Sequence, residues 1–137
     1  MLKLAVLAVL VACAQARILD KCEFYREIQN YGIPSDQLAV WSCIADHESH
    51  YDTSAVNHDS GDHGIVQISE LYWCSTGGSP GGGCNKQCSD FENDDISDDM
   101  YCARAVFDEW QRLHGNGFLA WTTYQPYCAG DVSQYYC

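Results

Sequence analysis

Cysteine content restricts how this chain can fold more than any other feature, because nine of its 137 residues are cysteines. The first, Cys13, lies in residues 1–16, an apolar segment that carries Lys3 near its start and ends in the motif AQA. A basic start, a short apolar run and a small-x-small ending are typical of a secretory signal peptide. The run is too short for a membrane anchor. We therefore predict that residues 1–16 are a signal peptide and that residues 17–137 form one secreted, extracellular domain.

Eight cysteines remain beyond that segment, an even number in a chain that would pass through an oxidising compartment. They are Cys22, Cys43, Cys74, Cys84, Cys88, Cys102, Cys128 and Cys137. Four disulfides would stabilise a core this small by restricting the unfolded chain. Spacing alone does not choose among about 105 possible pairings. Zinc is the alternative, but only Cys84 and Cys88 have ligand-like spacing and no second pair completes a tetrahedral site.

The charge of the chain restricts its partners. It has 19 acidic and 7 basic side chains and a formal charge of −12. Removal of residues 1–16, which contain one lysine and no acid, would leave 121 residues with a formal charge of −13. Such a surface repels nucleic acids and anionic membranes, so we predict that neither is a partner.

The hydrophobic pattern predicts helices around a small β segment. Apolar residues recur at helical intervals in residues 21–31, in residues 35–48 with Ser35 as the N-cap, and from residue 97 or 98 to Gly115. Residues 51–69 are rich in Thr, Ser, Asn, Asp and Gly, which predicts short strands and turns, with residues 64–68 among the strands. Helices that flank a β segment within one unit define the α+β class.

Two carboxyl groups in contrasting surroundings are the candidate catalytic pair. Glu48 follows Ile44 and Trp41 by four and seven residues, so its carboxyl should face apolar material, which raises its pKa. Asp62 lies among polar turn residues, where hydroxyls, amides and water can keep a carboxylate ionised. Such a contrast suits a general acid and its ionised partner. From spacing alone, a surface acid at a helix end and a turn-forming aspartate are the commoner outcome.

Three segments around this pair resemble a known family. Residues 41–51 (WSCIADHESHY), 62–68 (DHGIVQI) and 72–74 (YWC) look like the core of the chicken-type (c-type) lysozymes, most closely their arthropod members. All eight cysteines keep the family order. The resemblance covers the chain from residue 17 and implies a lysozyme-like fold with a helical lobe and a small antiparallel β lobe. It also implies the disulfides Cys22–Cys137, Cys43–Cys128, Cys74–Cys88 and Cys84–Cys102.

The same resemblance implies a reaction and a set of site residues. The reaction is retaining hydrolysis of the β-1,4 bond between N-acetylmuramic acid and N-acetylglucosamine in peptidoglycan, with chitin oligomers as a lesser substrate. Glu48 matches the family's general acid and Asp62 its nucleophile or charge stabiliser; lysozyme is itself the standard example of this mechanism. The implied sugar-binding residues are Asn57, Gln67, Ser69, Tyr72, Trp73, Ala120 and Trp121. No cofactor is required, and the family precedent is a monomer.

Other aromatic and imidazole side chains have simpler interpretations. We assign Trp41, in the middle of a helix, to the core, and without the resemblance Trp73 and Trp121 would also be packing residues. The histidines at positions 47, 50, 58 and 63 are interpreted as ordinary surface residues, because their spacing lacks the i, i+4 pair of helical zinc sites.

Residues 90–100 resemble the calcium loop of α-lactalbumins and calcium-binding lysozymes. The implied ligands of this structural calcium are the backbone carbonyls of Asp90 and Asp95 and the side chains of Asn93, Asp98 and Asp99. Asn93 stands where those proteins usually have Asp, which lowers the negative charge available. The alternative is that Asp98 and Asp99 only favour the positive end of a helix.

Charge also bears on the working conditions. Bacterial walls are anionic, so repulsion should weaken wall binding at neutral pH and fade as carboxylates protonate near pH 4. We therefore expect an acid-shifted optimum and a digestive or antibacterial role. The alternatives are a noncatalytic sugar-binding relative and a calcium-binding protein of the α-lactalbumin kind, and the presence of both Glu48 and Asp62 counts against them.

Overall fold

The computed structural model describes Ala8 and residues 17–137. Apart from Ala8, the predicted signal peptide therefore lies outside the described residues. Within the described part of the chain, no helix is both long enough and apolar enough to cross a membrane.

The first helix, α1, spans Lys21–Ile28 and begins with a capping box. The Asp20 carboxylate accepts hydrogen bonds from the amides of Cys22 and Glu23, and the Glu23 side chain accepts one from the Asp20 amide. A 3₁₀ turn, Gln29–Tyr31, continues it. The predicted helix over residues 21–31 is thus confirmed, with a tighter last turn.

The second helix, α2, spans Leu38–Ser49 and is the buried centre of the helical lobe. Most of its first eight residues are buried, and Trp41 is fully buried, as predicted. The prediction of Ser35 as its N-cap is wrong, because Ser35 begins a separate 3₁₀ turn, Ser35–Gln37, and no side chain caps α2. The helix carries Glu48 in its last turn.

The third helix, α3, spans Ser97–His114, and it begins and ends where the sequence predicts. Gly115 ends it with φ 77°, a left-handed conformation that glycine adopts at low cost. Its buried face includes Met100, Ala103 and Val106, whereas residues 108–114 are exposed or only partly buried.

The β lobe is a three-stranded antiparallel sheet of very short strands in the order β1-β2-β3. The strands are β1 (Val56–Asn57), β2 (Asp62–His63) and β3 (Ile68–Ser69). The prediction of strand structure across residues 64–68 is wrong for residues 64–67, which form the turn between β2 and β3. Gly64 and Gln67 have φ values of 83° and 54°, which a strand does not permit.

Four disulfides form with the implied pairing, which is thereby confirmed. Cys22–Cys137 joins α1 to the C terminus across 115 residues, and Cys43–Cys128 joins α2 to the C-terminal segment. Cys74–Cys88 and Cys84–Cys102 tie the loop after the sheet to itself and to α3. The α+β prediction is confirmed, with a helical lobe and a small β lobe joined by covalent bridges.

Candidate active site

Glu48 and Asp62 line one groove between the two lobes. Glu48 reaches it from the last turn of α2, and Asp62 from β2. The groove has a volume of about 200 Å³, and its wall also contains Gln67, Ser69, Trp73, Val106, Ala120 and Trp121. The fold thus brings together two carboxyl groups that are 14 residues apart in the sequence, as the catalytic prediction requires.

Burial raises the pKa of Glu48, which is the direction predicted from its helical neighbours. The hydroxyl of Thr123 donates a hydrogen bond of 2.8 Å to Glu48 Oε1 and partly offsets this effect, because it stabilises the charged form. The negative charge of Asp62 raises the pKa further. The net result is a carboxyl group that keeps its proton to a higher pH than an exposed glutamate does.

Asp62 has more polar surroundings. The hydroxyl of Ser60 donates a hydrogen bond of 2.7 Å to Asp62 Oδ2. Across the sheet Asp62 pairs with Asn57 on β1 and with Ser69 on β3. The Asn57 side-chain oxygen accepts hydrogen bonds from the amides of Asp59 and Ser60, so it holds the β1–β2 turn in shape. Glu48 and Asp62 therefore have the contrasting environments that an acid and an ionised partner need.

Trp121 belongs both to the core and to the groove. It is 6% exposed, and its indole packs edge-to-face on Trp41 with ring centroids 4.8 Å apart. Its Nε1–H donates a hydrogen bond of 2.8 Å to the carbonyl of Val66 in the β2–β3 turn. This bond connects the C-terminal segment to the β lobe and fixes the indole in the groove wall. Trp73 is only half-buried and lines the same groove.

The predicted sugar-binding residues lie on three adjoining surfaces. Gln67, Ser69, Trp73, Ala120 and Trp121 line the groove itself. Asn57 lines a second hollow, which shares Glu48 and Gln67 with the groove. Tyr72, 71% exposed, lines a third, which shares Trp73 with the groove.

The side chain of Gln67 can accept a hydrogen bond from a ligand but has no free N–H to donate one. Its side-chain amide donates to the carbonyls of Ala55 and Gly64, at 3.1 and 2.8 Å. Both amide hydrogens are therefore committed, and the Gln67 oxygen remains to accept a hydrogen bond from a sugar hydroxyl or acetamido N–H.

His63 is not the surface histidine that the sequence predicts. It is 6% exposed and lies between two carboxylates, with Nδ1 2.7 Å from Glu92 Oε1 and Nε2 2.8 Å from Glu70 Oε2. Because an ionised carboxylate only accepts hydrogen bonds, this arrangement favours the imidazolium form, in which both ring nitrogens donate. Burial lowers the pKa of His63, but its hydrogen bonds to Glu70 and Glu92 raise it by more. The surface prediction was wrong because neither contact follows from local spacing: Glu70 is 7 residues away on the far side of β3, and Glu92 is 29 residues away.

The side chains of the predicted calcium loop do not fit a calcium site as they are arranged. Asp98 pairs with the ammonium of Lys86 at 3.1 Å, and Asp95 accepts hydrogen bonds from Ser97. The Asn93 oxygen accepts from the amide of Asp95. The Asp90 carboxylate accepts a hydrogen bond from the amide of Gln87. Among the described residues, no group of three or more acidic, His or Cys side chains has the placement of a metal site.

Asp99 is fully buried, and neither of its carboxyl oxygens has a hydrogen-bond partner among the described residues. Burial raises the pKa of this carboxyl well above its usual range. Calcium binding stays a prediction, and it requires that Lys86 leave Asp98 and that the other side chains turn toward one point.

Comparison with known proteins identifies the fold and its class. Residues 17–137 match the model of the C-type lysozyme/alpha-lactalbumin family. Lysozyme X of Drosophila melanogaster is 39% identical over 95% of this chain and 91% of its own length, and Lysozyme C of Penaeus merguiensis is 39% identical over 98% and 89%. A crystal structure of a lysozyme from Litopenaeus vannamei superposes with a TM-score of 0.79 at 34% identity, covering 88% of this chain and 95% of that chain.

The chain therefore belongs to the C-type lysozyme/α-lactalbumin family. Its relatives include lysozymes of insects and crustaceans at 34–39% identity over most of the chain, and it is a lysozyme-type glycosidase.

Proposed function

We propose that this protein is a secreted enzyme that hydrolyses the β-1,4 bond between N-acetylmuramic acid and N-acetylglucosamine in bacterial peptidoglycan. The observation that carries the proposal is the pair of carboxyl groups in one groove. Burial raises the pKa of Glu48, while Asp62 accepts a hydrogen bond from Ser60 at the polar edge of the sheet. Chitin oligomers, which contain the same amino sugar, are a lesser substrate, and the working form is a monomer without a required cofactor.

The roles of the two carboxyl groups follow from their surroundings. Glu48 donates its proton to the glycosidic oxygen as the bond to the leaving sugar breaks. Asp62 meets the positive charge that develops on the remaining sugar, either as an ion or by bonding to it. Glu48, now ionised, then removes a proton from water as the water oxygen bonds to the anomeric carbon, which releases the sugar from Asp62 and restores the protonated Glu48 and the ionised Asp62. Lysozyme is the standard example of this retaining mechanism, so the assignment applies an established scheme to these residues.

Conservative substitution of Glu48 tests the assignment. Glu48→Gln keeps the shape of the side chain but has no acidic proton, so clearing of a bacterial suspension should fall by at least about a hundredfold. Binding of N-acetylglucosamine oligomers should persist, because the groove walls are unchanged. Clearing by Glu48→Gln at the wild-type rate would overturn the assignment. Asp62→Asn tests the second role in the same assay.

We also propose an acid-shifted optimum and a digestive role in addition to antibacterial action. The support is the formal charge, which is −12 for the whole sequence. Anionic walls repel such a protein near neutral pH, and the repulsion fades as carboxylates protonate toward pH 4. Clearing measured from pH 4 to pH 8 should be fastest on the acid side. A maximum above neutrality would contradict the proposal.

A further inference from the structure

Glu70, the residue that follows β3, contacts both neighbours of Asp62 in the chain. Its backbone amide donates a hydrogen bond of 2.8 Å to the carbonyl of Gly61. Its carboxylate oxygen Oε2 accepts a hydrogen bond of 2.8 Å from Nε2 of His63. Gly61 immediately precedes Asp62 and His63 immediately follows it, so one residue holds the backbone on both sides of Asp62.

The side chain of Glu70 also packs on the turn that leads into β2. Gly61 has φ 72°, a left-handed conformation that favours glycine. A Cβ placed at Gly61 would come within 2.6 Å of Cδ and Oε1 of Glu70. Because Gly61 has no side chain, the Glu70 carboxylate lies directly against the backbone of this turn.

His63 connects Glu70 to a third segment of the chain. Its ring is 6% exposed, and Nδ1 lies 2.7 Å from Oε1 of Glu92. Glu92 is the last residue of the 3₁₀ turn Cys88–Glu92, which the Cys74–Cys88 disulfide joins to the loop after the sheet. Hydrogen bonds between an imidazolium and carboxylates are stronger than those between neutral groups. The ring therefore ties the Glu70 carboxylate to a part of the fold that a disulfide holds in place.

Glu70 and His63 lie away from the surface that would contact a glycan. Successive side chains of a strand point to opposite faces, and accordingly Asp62 lines the groove whereas His63 is buried. The described residues that line the groove and the two hollows beside it do not include Glu70 or His63. We therefore expect these two residues to affect a reaction in the groove through Asp62 and not by touching the substrate.

We propose that Glu70 and His63 are positioning residues, which fix the backbone of Asp62 so that its carboxylate keeps its place when positive charge develops on the sugar. The inference rests on the proposed function, because Asp62 must first have its role in the reaction. Ser60 holds the Asp62 carboxylate itself, whereas Glu70 and His63 hold the chain that carries it. The competing explanation is that the three charged side chains, those of His63, Glu70 and Glu92, only stabilise the β lobe.

Steady-state hydrolysis of the N-acetylglucosamine hexamer by Glu70 variants tests the proposal. Misplacement of a reacting group by about 1 Å can cost about a hundredfold in rate, and Glu70→Ala leaves the Ser60 bond and the sheet in place, so we expect kcat to fall about tenfold. KM should change by less than about twofold, because the residues that line the groove are unchanged. Glu70→Gln keeps an oxygen that can accept from His63 and should restore kcat to within about threefold of the wild type. Asp36→Ala, which removes an exposed carboxylate before α2, is the control for net charge and should change nothing.

A double-mutant cycle with Asp62 shows whether Glu70 acts through it. In an Asp62→Asn background the carboxylate that Glu70 is proposed to position is already absent. Glu70→Ala should therefore lower the residual kcat by less than about twofold there, against about tenfold in the wild-type background. The free energy of unfolding of each variant, measured in denaturant, shows whether loss of rate and loss of stability go together.

The outcomes separate positioning from stabilisation and from the proposed function. An unchanged kcat in Glu70→Ala, or a raised KM alone, would overturn the proposal. A tenfold loss that persists in the Asp62→Asn background, or a Glu70→Gln variant as slow as Glu70→Ala, would also overturn it and leave the three charged side chains a structural role only. Hydrolysis by Asp62→Asn at the wild-type rate would instead refute the catalytic assignment of Asp62, whatever the Glu70 variants do.

Discussion

At the scale of single residues, the pKa of Glu48 depends in part on a hydrogen bond from a residue outside its helix. The spacing of Trp41, Ile44 and Glu48 is sufficient to predict apolar surroundings, because side chains four and seven residues apart share a helix face. Thr123 is 75 residues away in the sequence, and its hydroxyl reaches Glu48 only because the C-terminal segment folds back over α2. Local spacing therefore predicts the direction of the pKa change but not the group that limits it.

Substitution of Thr123 should shift the pH range of the enzyme. Thr123→Val keeps the shape of the side chain but removes the hydrogen bond that lowers the pKa of Glu48. The pKa of Glu48 should rise, and since the general acid must be protonated, the alkaline limb of the pH–activity curve should move to higher pH. Thr123→Ser, which keeps the hydroxyl, should behave like the wild type. Hydrolysis of a soluble chitin oligomer gives the curve free of wall charge, and unchanged limbs in Thr123→Val would refute the role.

At the scale of elements, the helices are predictable and the β lobe is less so. The Asp20 capping box and the stop at Gly115 are local signals, and α1 and α3 begin where the sequence predicts. The sheet has only two residues per strand, too few for an alternating pattern, and its turn at residues 64–67 depends on contacts with other segments. Strands this short form few backbone hydrogen bonds with each other. The buried ring of His63 on β2 instead contacts Glu70 and Glu92, and so connects β2 to two other segments.

Removal of the imidazolium should destabilise the β lobe in a pH-dependent way. The folded pKa of His63 is raised, so its contribution is fully present below the unfolded pKa of about 6.5 and is lost as pH rises through the folded value. His63→Gln should therefore lower the free energy of unfolding by about 2 kcal/mol at pH 5.5, because Glu70 and Glu92 lose their shared cation.

Denaturant unfolding of the wild type and His63→Gln at pH 5.5 and pH 9 measures this effect. The difference between the two proteins should be smaller at pH 9 than at pH 5.5, because the contribution of the ring is lost as pH rises through its folded pKa. His58→Gln, a substitution of an exposed histidine in the same lobe, controls for loss of an imidazole. A difference of equal size at both pH values would mean that His63 acts by packing alone.

At the scale of the whole molecule, the sequence alone predicts the net charge but not the pairing of the cysteines. Net charge follows directly from composition, whereas the cysteine pairing required the family resemblance, because spacing leaves about 105 arrangements open. The hollow that Tyr72 and Trp110 line together was predicted only for Tyr72, because Trp110 lies far from it in the sequence and on α3, which the Cys84–Cys102 bridge joins to the loop. Contacts between distant parts of the sequence therefore determine which residues line the binding surface, whereas the local sequence determines which side chains, such as Glu48 and Asp62, are offered to it.

Salt should distinguish the effect of net charge from the chemistry of the groove. At pH 7 the acidic protein and the anionic wall repel each other, so salt raised from about 10 mM to 150 mM, which shortens the screening length from about 30 to 8 Å, should speed bacterial clearing. At pH 4.5 the same change should have less effect, because part of the carboxylates are protonated. Hydrolysis of an uncharged chitin oligomer should not respond to salt at either pH. Slower clearing with added salt at pH 7 would mean that wall binding depends on attraction to the protein's few cations, and the charge argument for an acid optimum would then fail.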